Sequence, residues 1–187
     1  MEWPFGEEKI NKLEIATGDT QMRPFESIKK PENSPIWKEI TPDPEIISAE
    51  TAIQKLEKDG HVISYYAKPF LFDINYKKEL KERYDMALIM VKQLFKDKSD
   101  HTYKEIKEEA DKQGLKLIPA KLVPSIRKNY SKDVGLVVIA IEPISDAYDD
   151  QRLFFCNESG GESFLGVDSG LDDHYWRSWH QFFFIRK

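Results

Sequence analysis

The clearest periodicity along this chain is that of an amphipathic helix. In DHTYKEIKEEADKQGLKL, residues 100–117, the apolar positions Tyr103, Ile106 and Ala110 recur at helical spacing among charged neighbours. Asp100 or Thr102 stands in place as N-cap and Gly114 as stop. SAETAIQKLEKDG repeats the arrangement, with Ser48 or Thr51 as cap, Ala52, Ile53 and Leu56 as the stripe, and Gly60 as the stop. VGLVVIAIE follows a different rule. Val134, Leu136, Val138 and Ala140 point one way and Val137, Ile139 and Ile141 the other, so both faces are apolar and the run predicts a central strand covered on both sides. QRLFFCN and ESFLGV flank ESGG, which predicts a hairpin closed by glycines. HVISYYA reads as a strand and HQFFFIRK as a last, buried one. RYDMALIMVKQLF reads as a buried strand, with helix as the alternative that apolarity alone does not separate. IPAKLVPSIRKNY, with Pro119 and Pro124, is left open between helix and strand, and PFLFDINYKKELKE is a connection.

Proline sets the organisation at the other end. Six of the ten prolines fall within the first 44 residues. They remove backbone donors and disfavour helix before them. Residues 1–46 therefore read as a Pro-rich irregular arm. Because the arm carries Trp3, Phe5, Phe25, Ile36 and Trp37, part of it is expected against the body or a partner. Residues 47–187 read as one α+β domain, with a mainly antiparallel sheet of about five strands and two or three helices.

Composition narrows the classes. Apolar residues are 40% of the chain, enough for a core, and eleven Phe, eight Tyr and four Trp supply large rings for it. The net charge of −5 argues against a generic polyanion binder, so nucleic acid is not the expected partner. Charge is uneven: residues 116–132 hold five basic residues and no acid, while 142–173 hold nine acids against Arg152. The only cysteine, Cys156, lies in an apolar run, which suits a structural thiol and leaves no internal disulfide. The start, MEWPFGEEKI, is acidic without a long apolar run, and no stretch approaches the length that spans a bilayer, so a soluble, cytoplasmic protein is expected.

Phosphate-loop, dinucleotide, His-Glu-x-x-His, calcium-loop and nucleophile-elbow patterns are all absent. Glu158 and Glu162 bracket Ser159-Gly160-Gly161, but a polar hairpin tip offers water rather than the burial that separates two carboxyl pKa values. The densest chemistry lies in GLDDHYWRSWHQFFFIRK, residues 170–187. Trp176 and Trp179 with Arg177, His174 and His180 combine aromatic surface with polar groups, the inventory of a ligand pocket or an interface hot spot. The leading expectation is a non-enzymatic module that binds a protein partner or a small ligand there, without a cofactor. The alternative is a metal-dependent, hydrolase-like enzyme using Asp172, Asp173, His174 and His180. The third is DNA binding through residues 102–130, with Lys121, Arg127 and Lys128 toward phosphates and Ser125 at a base edge.

Overall fold

A computed structural model describes residues 38–130, 135–145 and 149–186. The elements run β1 (Lys38–Ile40), α1 (Ala49–Lys58), β2 (His61–Ile63), α2 (Ala67–Phe72), β3 (Tyr84–Met90), α3 (Val91–Phe95), β4 (His101–Thr102), α4 (Tyr103–Lys112), β5 (Leu115–Lys116), a 3₁₀ turn (Ala120–Leu122), α5 (Val123–Asn129), β6 (Val137–Ile139), β7 (Ile144–Ser145), β8 (Gln151–Ser159), β9 (Glu162–Ser169), β10 (Tyr175–Trp176) and β11 (Gln181–Arg186). Trp3, Phe5, Phe25, Ile36 and Trp37 of the arm, and Val134 of the predicted central strand, lie outside the described residues. The arm's described end enters the sheet: β1 pairs antiparallel with β3, and the Asp43 N–H donates to Ser125 Oγ at 3.0 Å.

Nine strands form one mixed sheet in the order β1-β3-β11-β6-β8-β9-β2, with β5 beside β11 and β7 beside β8, while β4 and β10 pair separately. The α+β class stands, but the expected five-stranded, mainly antiparallel sheet with two or three helices is overturned by nine strands and five α-helices. Two pairings are parallel, β11 with β6 and β2 with β9. The miscount has a physical cause. β1, β2, β5, β6 and β7 are two or three residues long, too short to show a period of two, and their place is set by partners distant in sequence. RYDMALIMVKQLF holds both elements expected as alternatives. The strand β3 ends at Met90, whose extended backbone starts α3 within the same apolar run.

The local signals behave as their chemistry requires. Ser48 Oγ caps α1 through the Thr51 N–H, and Thr102 caps α4 through the Glu105 N–H while Glu105 reaches back to the Thr102 N–H. Pro124 does not interrupt α5, because it sits in the first turn, where a missing N–H costs no hydrogen bond. Gly160 and Gly161 both have positive φ, 61° and 85°, as a two-residue hairpin turn between β8 and β9 demands. At the centre, Phe182, Phe183 and Phe184 of β11 are all fully buried. They face opposite ways. Phe182 stacks with Phe184 and with Tyr103 of α4, and Phe183 meets Tyr130, at the end of α5, edge-on. Helices on both sides of the sheet explain why a run of four apolar residues carries no polar alternate. No helix among the described residues is long and apolar enough to cross a membrane.

One charged group sits in this core. Arg127 of α5 is 1% exposed. Its guanidinium donates to the Asn157 and Phe164 carbonyls, each at 3.3 Å, and to Glu158 Oε1 at 2.6 Å, and lies 4.7 Å over the Tyr130 ring. Ser163 Oγ donates to the same Glu158 oxygen at 2.7 Å, and His61 stands opposite Ser163 across β2–β9. Arg127 thus ties a helix to both strands of the hairpin. Arg127→Ala leaves Glu158 without its counter-charge and should cost about 3–5 kcal/mol in urea unfolding. The double change Arg127→Met, Glu158→Leu should recover a large part of that loss. A single variant as stable as the parent would show that the pair does not hold the hairpin.

Candidate functional site

The segment Leu171–His180 is shaped by two helix starts. An α-helix leaves its first N–H groups without internal partners. The N–H groups of Val91 and Lys92, which open α3, donate to the carbonyls of His180 (3.0 Å) and Ser178 (2.9 Å). Those of Tyr103 and Lys104, which open α4, donate to His174 (3.0 Å) and Asp172 (3.1 Å). β10 pairs with β4 between these grips, Tyr175 opposite Thr102 and Trp176 opposite His101. Asp100 closes the turn, accepting from Arg177 Nη1 at 2.9 Å and from the Ser178 N–H at 3.2 Å. His180 Nδ1 accepts the Arg177 N–H at 3.0 Å.

All four gripped carbonyls belong to even-numbered residues, and from His174 to His180 the side chains alternate, even ones buried or half-buried and odd ones exposed. Trp176 is 1% exposed and Ser178 is buried, whereas Tyr175 is 65% exposed, Trp179 62%, and Leu171 is also open to solvent. Of the expected contact residues, Arg177 and Trp179 therefore face outward, His174 and His180 are half-buried, and Trp176 is an anchor inside. The Trp176 ring meets His174 at 5.1 Å, His180 at 5.3 Å and Phe182 at 5.1 Å, each edge-on. The Arg177 guanidinium stands 5.9 Å from the Trp179 ring. Tyr175, an outward aromatic of the same loop, was not among the expected residues. Its outward direction follows from pairing with Thr102 in β4, which no signal near it in the sequence encodes.

The metal alternative draws on Asp172, Asp173, His174 and His180. Asp172 pairs with Lys107 Nζ at 2.8 Å, Asp173 is exposed, and His174 and His180 both pack on Trp176. Among the described residues no group of three or more His, Cys, Asp or Glu is placed to hold a metal ion. Beside Asp172 runs a groove of about 610 Å³, with Ala110, Leu115, Leu117 and Phe184 among its apolar lining. In the 102–130 segment, Arg127 is buried, Lys128 binds Asp43 and Asp59, and Lys121 donates to the Lys78 carbonyl. Ser125 is buried and accepts from Asp43, so it presents no edge to a base. Glu158 and Glu162 do not act as a pair, since Glu158 is held by Arg127 and Ser163 and Glu162 is exposed. Cys156 is buried, and burial pushes its thiol up to about 12, which suits packing rather than nucleophilic attack.

Burial holds His180 below the ordinary imidazole range; Asp168 and Asp100 oppose this, and Arg177 and His174 add to it. Burial also holds His61 low, with Arg127 nearby. For Asp43 and Glu158, burial works upward but is outweighed, in Asp43 by hydrogen bonds from Lys128, the Glu45 N–H and Lys55, in Glu158 by those from Ser163 and Arg127. Unfolded imidazoles take up protons from about pH 6.5 downward while the folded ones resist, so stability is full above that pH and falls as pH drops through it. The two carboxylates, lower in the folded state, add stability that is present above the ordinary carboxylate range and lost below it. The urea midpoint should therefore fall in two steps on acidification. His61→Asn with His180→Asn should remove the upper one, and a parent midpoint unchanged between about pH 7.5 and 5 would refute the histidine contribution.

The alternation predicts a sharp contrast between the two tryptophans. Trp176→Ala should lower stability by about 3–5 kcal/mol, as for other buried aromatic truncations. Trp179→Ala should stay within about 0.5 kcal/mol of the parent. Equal melting temperatures for the two variants would contradict the placement of Trp176. Comparisons with family models, with curated proteins and with solved structures return no match to this chain.

Proposed function

We propose that this protein is a binding module that recognises a protein partner through Tyr175, Arg177 and Trp179, with Leu171 at the border of the patch. The observation that carries the reading is the outward display of two large aromatics and an arginine on a backbone held by two helix starts. Tyr, Trp and Arg are the residues that most often dominate interface energetics. A loop already fixed before binding loses little conformational freedom on association, so more of its contact energy appears as affinity. His174, His180 and Trp176 support the patch from beneath. We take the protein to be cytoplasmic, in keeping with a single cysteine that is buried and unpaired.

Metal-dependent hydrolysis has less support, because Asp172 is held by Lys107 and the two histidines pack on an indole. DNA binding has less still, because Arg127 is buried beneath the sheet end and Lys128 is held by carboxylates.

The test is affinity capture from the protein's own cells, quantified by mass spectrometry, with the parent, Trp179→Ala, Tyr175→Ala and Tyr65→Ala. Tyr65 is 83% exposed but lies in the turn before α2, outside the patch, and serves as the control. One protein should be recovered with the parent and with Tyr65→Ala, and about tenfold less or lower with Trp179→Ala, as loss of a hot spot implies. Equal recovery by the Trp179→Ala variant would end the proposal.

A further inference from the structure

We infer that the turn from Arg177 to His180 is a pH-sensitive clasp: a proton added to His180 Nδ1 in acid releases the Arg177 end of the turn and loosens the display of Arg177 and Trp179. The inference rests on the binding-module reading of the same patch and gives that patch a regulator.

Two hydrogen bonds join Arg177 and His180, one in each direction. The His180 N–H donates to the Arg177 carbonyl at 2.9 Å, and the Arg177 N–H donates to His180 Nδ1 at 3.0 Å. Ser178 and Trp179 stand between them, so the pair closes the turn that carries the exposed indole. The second bond exists in one protonation state. A ring nitrogen accepts only while it bears no proton, so Nδ1 is bare and the neutral ring carries its proton on Nε2. A proton on Nδ1 sets two donors against each other and places a new positive charge beside Arg177.

The surroundings decide when this happens. The ring is half-buried, edge-on to Trp176 at 5.3 Å and tilted against Trp179 at 6.1 Å. Burial is the largest influence and favours the neutral ring; Arg177 and His174 of the same loop act with it, while Asp168 of β9 and Asp100 before β4 oppose it. On α3, whose Val91 N–H holds the His180 carbonyl, the neighbouring charge is the exposed Lys92. The clasp is therefore closed at neutral pH, and it opens below the ordinary imidazole value of about 6.5.

Opening is local. The bonds from α3 to the Ser178 and His180 carbonyls, and from the Ser178 N–H to Asp100, do not use the imidazole. They keep the rest of the loop in place while the Arg177 N–H loses its acceptor. Asp100, which also holds the Arg177 guanidinium at 2.9 Å, is then shared with a second cation, so the side chain is loosened together with its backbone.

The experiment is NMR of the full chain between about pH 7.5 and 4.5, a range that brackets imidazole titration. His180 is followed by its ring shifts. Arg177 is followed by the protection of its amide, the exchange rate set against that of the unfolded chain at the same pH. At the upper limit the ring nitrogen shifts should place the proton on Nε2. Arg177 protection should fall by about threefold or more as His180 titrates, the scale of one lost hydrogen bond. His180→Asn keeps an acceptor near the place of Nδ1 and has no nitrogen to protonate, so its Arg177 protection should not follow pH. Asp168→Asn removes an acid that favours the imidazolium and should move the midpoint to lower pH. Constant Arg177 protection across the titration of His180, the same fall in His180→Asn, or a proton on Nδ1 at the upper limit would overturn the inference. Partner capture with the parent and His180→Asn at about pH 7.5 and 5.5 separates it from the reading beneath it. Capture that depends on Trp179 but is equal at both pH values keeps the binding module and ends its regulation. An Arg177 amide that follows His180, without any Trp179-dependent capture, keeps the clasp and ends the binding module.

Discussion

Two helices start beside the same loop, and neither start is complete without it. α3 opens on Met90, whose N–H donates to the Gln93 side chain, and α4 opens on Thr102, whose hydroxyl accepts the Glu105 N–H and donates to the Glu105 carboxylate. The N–H groups of Val91, Lys92, Tyr103 and Lys104 still need acceptors, and four carbonyls between Asp172 and His180 provide them. Unsatisfied backbone donors in a partly buried setting cost about 1–3 kcal/mol each. The loop is therefore bound as firmly as the helices it serves. Its register decides which side chains turn in toward Phe182 and which turn out. An indole at 176 becomes core and an indole three residues later becomes surface.

At the far end of the sheet the same economy of charge recurs in a buried form. Arg127 would be an expensive residue to enclose alone. Carbonyls from both strands of the β8–β9 hairpin and the Glu158 carboxylate surround it, and Ser163 occupies the same carboxylate oxygen. Parallel β2 brings His61 into this row, so a strand of three residues is fixed at the sheet edge next to a polar cluster rather than by length. The acid sensitivity of the fold follows from the same arrangement, since protonating Glu158 or His61 works against Arg127.

What was legible in the sequence was local. Caps and stopping glycines located α1 and α4, and ESGG located the β8–β9 turn, because those signals act within four residues of where they stand. β6 was recognised as central, and among the described residues its pairing covers Val137–Ile139, with Ala140 just beyond bonding Ile118 and Phe183. The nine-stranded order was not legible. Two-residue strands such as β5 exist only because β11 lies beside them, and the parallel pairs join segments about 40 and 100 residues apart. The site was legible as a segment and not as a surface. Residue types marked 172–180 as unusual, but whether Trp176 or Trp179 faces water depends on pairing with His101 in β4, and nothing near either tryptophan encodes that partner.

The alternation also separates structural duty from side-chain choice. Holding α3 and α4 requires backbone carbonyls at even positions and an apolar filler at 176. It requires nothing of the side chains at 171, 175 and 179, which point away. Small polar residues at those places would serve the fold equally well, with less apolar surface in water. The other exposed aromatics, Tyr65, Tyr66 and Phe72, sit on a short turn and at the end of a six-residue helix, where a cluster of rings has no comparable framework beneath it. Among the described residues, only the 171–180 loop brings together exposed rings, a restrained arginine and a backbone held by helix starts. That coincidence is what supports the proposed recognition role, because the fold itself uses the carbonyls of Asp172, His174, Ser178 and His180 and the buried Trp176.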